Sequence, residues 1–186
     1  METSARMIRT ICLHGAESSG KSTLAPRLAA HFGGEVVDEY GREYAEARGT
    51  AFTMADLVEI ARMHDAGTRM MLATGAAPLI LDTDPLMTAV WAEMLFGRRD
   101  PWFDAWTHTA DLYLLFDIDL PWVEDGTRMF GTSEARQRFF DLAKAELERR
   151  GVRWALVGGM GETRLASALA AIAQAGPVMT GPAAHG

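Results

Sequence analysis

Residues 13–25 read LHGAESSGKSTLA, with glycines at 15 and 20 directly before Lys21. The run from Gly15 to Ser22 fits the spacing G-x-x-x-x-G-K-[ST]. Glycines let successive backbone N–H groups curl around an anion without a Cβ in the way. A helix beginning at the lysine adds its partial positive charge at the same place. Gly15, Ala16, Glu17, Ser18, Ser19 and Gly20 therefore form a phosphate cradle. Lys21 reaches the β- and γ-phosphates of a nucleoside triphosphate, the Ser22 hydroxyl ligates Mg²⁺, and Thr23 is placed for the α-phosphate.

The context on either side suits that reading. The preceding MIRTICL has the make-up of a core strand, and Leu24, Leu28 and Phe32 recur on one face of a helix expected over residues 21–32. Pro26 falls beyond the first turn of that helix, where a kink or loosened turn is expected.

Beyond it, GEVVDEY reads as a second strand ending in acids. A long helix starts near Thr53, with Thr53 as N-cap and Asp56 three residues on. Leu57, Ile60, Ala61 and Met71 suit its buried side. APLILDTD is a continuous apolar run of the kind buried in parallel sheets. PLMTAVWAEMLFG is helical, ADLYLLFD and VRWALVGG are the fourth and fifth strands, and helices are expected over residues 133–150 and 162–175.

Strand and helix thus alternate five times. The expected fold is α/β: a three-layer P-loop NTPase arrangement, a five-stranded parallel sheet with helices on both faces. Right-handed crossovers gather the loops at the carboxyl ends of the strands. Residues 1–175 are read as one domain. Residues 176–186, GPVMTGPAAHG, are read as a tail without fixed structure.

Composition narrows the function. The chain has 186 residues and a net charge of -7, which argues against attraction to nucleic acid or anionic lipid. Its single cysteine, Cys12, falls in a core strand and is read as a buried structural thiol. The first residues lack the apolar stretch of a signal peptide, and no apolar run nears the roughly 20 residues of a membrane span. A cytoplasmic location and a small-molecule substrate are expected.

Several side chains outside the loop can carry chemistry. Asp82 and Asp84 end the third strand as DTD; an acid there organises Mg²⁺ beside the phosphate loop, or caps the next helix. Asp38 and Glu39 end the second strand, and strand alternation turns only one of them inward. Either can take a proton from an attacking hydroxyl or hold sugar hydroxyls. After the fourth strand, DLPWVEDGTRMFGTSEARQRFF is punctuated by Gly126 and Gly131 and flanked by Arg128 and Arg136. A segment of that make-up can close as a lid and bring arginines onto a transferring phosphoryl group. The five histidines lack metal-ligand spacing, and His64 and His108 are read as packed or surface residues.

Taken in order, GAESSGKSTLA, EYGREYAE, DLVEIARMH, LILDTDPL, DLYLLFDIDLPWVEDGTR and FGTSEARQRF resemble ribosylnicotinamide (nicotinamide riboside) kinase, the kinase portion of bacterial NadR-type NAD-salvage proteins. The resemblance runs from about residue 8 to about 172, and the pairing of EYGREY with PWVEDGTR is its specific part. It implies ATP-dependent phosphorylation of the 5′-hydroxyl of nicotinamide riboside, giving nicotinamide mononucleotide. Within the resemblance, Gly15 to Thr23 bind ATP and Mg²⁺, and Asp82 and Asp84 form the acid motif. Asp38, Glu39, Tyr40, Arg42 and Tyr44 lie on the substrate side, with Glu39 favoured as the proton acceptor. Trp122, Asp125, Arg128 and Arg136 lie in the lid. Two other readings stay open: a kinase for another nucleoside or small alcohol, and a non-catalytic ATP-binding regulatory module.

Overall fold

The computed structural model describes residues 7–124 and 128–180. Five strands pair in parallel in the order β2-β3-β1-β4-β5: β1 (Thr10–His14), β2 (Glu35–Val37), β3 (Leu79–Asp82), β4 (Leu112–Phe116) and β5 (Trp154–Val157). Neighbouring β1 and β3 hold the register Cys12 beside Leu81 and Leu13 beside Asp82. That register places the phosphate loop, which follows β1, next to the acids that end β3.

Alternation along the strands splits the core in two. Cys12, Leu79, Leu81, Tyr113 and Leu115 face α4 (Pro85–Phe96) and α6 (Ser133–Arg150), packing on Leu86, Val90, Phe139 and Ala143. Ile11, Leu13, Ile80, Leu114 and Phe116 face the opposite way, onto α1 (Lys21–Phe32) and α7 (Glu162–Ala175) through Leu24, Leu28, Ala168 and Ile172. Both sheet faces are covered, which is why the strands read as unbroken apolar runs. Cys12 is fully buried, as expected of a structural thiol.

Helix ends follow local chemistry. The Thr53 hydroxyl accepts from Asp56 N and the Asp56 carboxylate accepts from Thr53 N, a complete capping box opening α3 (Met54–Ala73). Gly33, Gly97 and Gly151 close α1, α4 and α6 in the left-handed region. Helix α1 runs without interruption through Pro26. Pro26 and Ser22, whose carbonyl Pro26 leaves without an i+4 donor, are both exposed, so the missing bond falls on the solvent side.

Two short helices lie outside the sequence expectations: α2 (Tyr40–Arg48), directly after β2, and α5 (Pro101–Ala105). Together with α3 and α4 they enclose a third cluster around Tyr44, Ile60, Ala92 and Phe103. Residues 176–180 also depart from expectation, while residues 181–186 of the expected tail lie outside the described residues. Ile8 N donates to the Pro177 carbonyl and Met179 N to the Ile8 carbonyl, both at 2.8 Å, so residues 177–179 run beside the start of the chain's core. Val178 packs on the α1/α7 cluster, and that burial holds a segment rich in Gly and Pro in place.

Gly34 joins α1 to β2 against Pro78, whose carbonyl accepts from Glu35 N. A Cβ at position 34 would lie 2.2 Å from the Pro78 carbonyl oxygen. Gly34→Ala is expected to lower unfolding free energy by roughly 1–3 kcal/mol, the usual range for overpacking, as read from urea denaturation midpoints.

Candidate active site

The phosphate loop is built by backbone conformations few residues adopt. Gly15 has φ +139°, and a Cβ there would come within 3.0 Å of the Phe116 carbonyl. Gly20 has φ +86°, and Ser18 also lies at positive φ. Lys21 is buried, with Nζ donating to the carbonyls of Gly15 (2.9 Å) and Ala16 (2.8 Å). Ser19 Oγ donates to Ala16 O at 2.7 Å, which closes the loop on itself. Ser22 and Thr23 stand exposed at the first turn of α1.

One cavity collects most of the expected residues. Gly15, Glu17, Ser18, Ser19, Gly20, Lys21, Ser22 and Thr23 line it on one side, Glu39 and Arg42 on another, and Arg128 on a third. Thr83, in the left-handed region at φ +72°, lines it too. A non-glycine held there is strained, and such strain gathers at functional sites. Glu39 is partly exposed as a residue, yet burial pushes its carboxyl up to about 7. Asp82 adds to that rise, while Lys21 and Arg42 oppose it. Asp38, its neighbour, is exposed.

The two acids of DTD part company. Asp82 is 4% exposed, and its Oδ1 has no hydrogen-bond partner among the described residues. An orphaned carboxylate oxygen beside a phosphate loop is a fitting donor for a hydrated divalent cation. Asp84, expected at the same site, is committed elsewhere. Its Oδ1 accepts from Leu86 N as the N-cap of α4, and its Oδ2 accepts from Tyr113 OH at 2.5 Å. Burial raises its carboxyl to about 6. The physical reason is the sharp turn at Thr83, which puts the next carboxylate over the helix end rather than into the loop cavity.

Tyr44 departs in the same way: it is buried in the α2/α3 cluster, and its hydroxyl donates to Asp56. Tyr40 stacks edge-on against Tyr44, with ring centroids 6.3 Å apart.

The lid segment is seated on the phosphate loop. Glu17 Oε2 accepts from Met129 N (3.0 Å) and Phe130 N (3.2 Å), and Ser18 Oγ accepts from Val123 N (3.1 Å). Phe130 in turn packs on Trp91 and Phe139. Trp122 lies over Gly131, where a Cβ would come within 2.9 Å of the indole. Arg128 donates to the Val123 carbonyl, and Arg136 Nη2 to the Leu120 carbonyl at 2.8 Å. Arg136 Nε is buried without a partner among the described residues. Asp125 lies outside the described residues.

One residue at the site escaped the sequence reading, and another, His64, was read there only as packed or surface; it is packed, and it also lines the site. Arg164, 3% exposed on α7, braces the loop: Nη1 donates to Ser19 O at 2.9 Å, Nε to Gly159 O at 2.7 Å, and Nη2 pairs with Asp119. His64, on α3, lines the cavity beside Glu39. Neither carries a local signal, since a single Arg or His on an amphipathic helix reads as surface or packing.

A family model described as AAA domain matches residues 10–172. The chain belongs to this AAA domain family. Among curated relatives of the AAA domain, the trifunctional NAD biosynthesis/regulator protein NadR of Escherichia coli is 31% identical over 156 residues, covering 81% of this chain and 38% of that protein. NadR of Salmonella typhimurium is 31% identical over 153 residues, 79% of this chain and 37% of that protein. The chain therefore spans under two-fifths of the length of these relatives.

Among solved structures, a NadR protein in complex with NR superposes with a TM-score of 0.77 at 24% identity, covering 96% of this chain and 54% of that one. A NadR protein in complex with NAD and AMP-PNP gives 0.75 at 23%, covering 96% and 52%. Thymidylate kinase from Ehrlichia chaffeensis gives 0.64 at 13%, covering 91% and 99%. These likenesses establish the fold, a five-stranded parallel α/β sheet covered by helices. No helix among the described residues is long and apolar enough to cross a membrane.

Proposed function

We propose that the chain is an ATP-dependent kinase that phosphorylates the 5′-hydroxyl of nicotinamide riboside, giving nicotinamide mononucleotide in the cytoplasm. The observation that carries the reading is the meeting, in one cavity, of the loop lysine Lys21 with Glu39, a carboxyl balanced near neutrality. A phosphate cradle alone serves any nucleotide switch. A carboxylate poised to take a proton beside it serves a transfer to a hydroxyl. The choice of acceptor is supported by the relatives, NAD biosynthesis/regulator proteins, and by the fold neighbour NadR in complex with NR.

In this mechanism the loop N–H groups and Lys21 hold the β- and γ-phosphates of ATP. The 5′-oxygen attacks the γ-phosphorus as its bond to the β-bridging oxygen breaks and ADP leaves. Glu39 takes the hydroxyl proton. Arg128, which lines the cavity, faces the charge that spreads over the phosphoryl oxygens, and Arg136, now on the Leu120 carbonyl, is read as joining it from the lid. Ser22 and Asp82 would hold Mg²⁺, which neutralises phosphate charge when bound. Arg42, with Asp38 and Tyr40 at the same strand end, falls on the acceptor side, and Trp122 in the lid.

The test is ADP release by the purified protein with Mg·ATP, with and without nicotinamide riboside, and mass detection of the product. Riboside-dependent ADP with a monophosphate product is expected. A second reading, another nucleoside as acceptor, draws on a fold neighbour, a deoxyadenosine kinase from M. mycoides. Stimulation by a different nucleoside in the same assay, and none by nicotinamide riboside, would select it.

A further inference from the structure

Glu39 occupies the N-cap position of α2, where a side chain ordinarily turns back to bond the helix's own N–H groups. It makes no such bond. The first orphan donor, Tyr40 N, which a capping side chain does not reach, is met from another helix: it lies 3.1 Å from His64 Nε2. The same nitrogen lies 3.0 Å from the Asp38 carbonyl. One imidazole nitrogen therefore touches the peptides on both sides of Glu39. We propose that His64 is a positioning residue for Glu39, clasping its flanking peptides so that the carboxylate, which makes no capping bond, is held in the cavity. The proposal rests on the reading of Glu39 as the proton acceptor.

Two further features support it. His64 is 4% exposed and lines the same cavity. Burial lowers its tendency to protonate, which favours the neutral ring and keeps positive charge away from the raised carboxyl beside it. Neutrality also gives the clasp two settings. With the proton on Nε2 the ring donates to Asp38 O; with the proton on Nδ1 it accepts from Tyr40 N–H. Nδ1 has no partner among the described residues, so neither setting is locked by the protein. The charged groups that bear on Glu39 are Asp82, Lys21, Arg42 and Glu17, and Asp82 also bears on His64.

The experiment compares H64F, which keeps a ring without nitrogens, with H64Q, whose carboxamide can both donate and accept. Both are measured for kcat, for the KM of each substrate, and for the pH profile of kcat/KM, with E39Q alongside. H64F is expected to lose on the order of 10- to 100-fold in kcat, the scale of a misplaced reacting group. Its KM for ATP should stay within about twofold, and the acid limb of its profile should move from the wild-type position. H64Q should recover most of the loss. Wild-type kcat and pH profile in H64F, with E39Q slowed by about 10²-fold or more, would overturn the clasp. So would an equal rise in both KM values with the limb unmoved, which is the mark of packing alone. Wild-type turnover in E39Q would instead overturn the base reading on its own. If H64F does not fold, H64N, whose amide is one carbon shorter than that of H64Q, carries the same comparison.

Discussion

Lys21→Ala lowers kcat by on the order of 10³-fold, the scale lost when a preorganised donor to developing charge is removed, and leaves the circular dichroism spectrum unchanged. The lysine is buried and its Nζ reaches loop atoms alone: the carbonyls of Gly15 and Ala16 and, at 3.5 Å, the Ser19 hydroxyl. Ser19 still closes the loop through Ala16, and Arg164 still braces it through the Ser19 carbonyl, so the cradle survives truncation. What goes is the phosphate loop's own cation, placed to follow the γ-phosphate as it transfers. Steady-state ADP release with the acceptor present is the measurement. Turnover within tenfold of wild type would remove the loop from the mechanism, whatever the fold.

Glu39→Gln has the second large effect. Loss of a general base costs about 10²- to 10⁴-fold, and the pH dependence should go with it. In the wild type only the ionised carboxylate can take the proton, so kcat/KM should rise with pH up to about 7 and then level. In the glutamine variant that limb should vanish while residual activity persists. A glutamine variant that kept the limb would assign it to another group.

Stability should move the opposite way. The folded-state value of Glu39 lies above its ordinary 4.5, so the fold favours the protonated form. Its contribution is present below about 4.5 and is lost as pH rises to about 7. The glutamine variant should therefore gain stability relative to wild type near pH 8 and little near pH 4, as read from thermal midpoints. Opposite signs for rate and stability are expected of a site group held against its preference.

Much of the molecule could be read from neighbouring residues alone. The loop spacing from Gly15 to Ser22 announces a phosphate site because its chemistry is done by consecutive backbone groups. The bounds of α1, α6 and α7 fall where Lys21, Ser133 and Glu162 were expected to open them. Thr53 and Asp56 form the capping box their spacing called for. Unbroken apolar strands foretold a parallel sheet covered on both faces, since only a doubly buried strand can do without polar residues. Other features were invisible at that range. Helices α2 and α5 are short, and their stability comes from the cluster around Tyr44 and Phe103 rather than from any pattern of their own.

The side chains at the acid ends of the strands show the boundary most clearly. Asp82 and Asp84 are two residues apart and alike in sequence. Yet the left-handed turn at Thr83 leaves one with an orphaned oxygen and gives the other to Leu86 and Tyr113. Tyr44 matched a substrate-side motif but is turned to Asp56. His64 and Arg164 meet the site from helices 25 residues after Glu39 and 145 residues after Ser19, and nothing near either in the chain marks it. Local chemistry, carried by hydrogen bonds a few residues long, is written in the order of amino acids. Which long-range partner a side chain finds depends on how the sheet register and the covering helices bring distant segments into contact, and only the packed molecule supplies that.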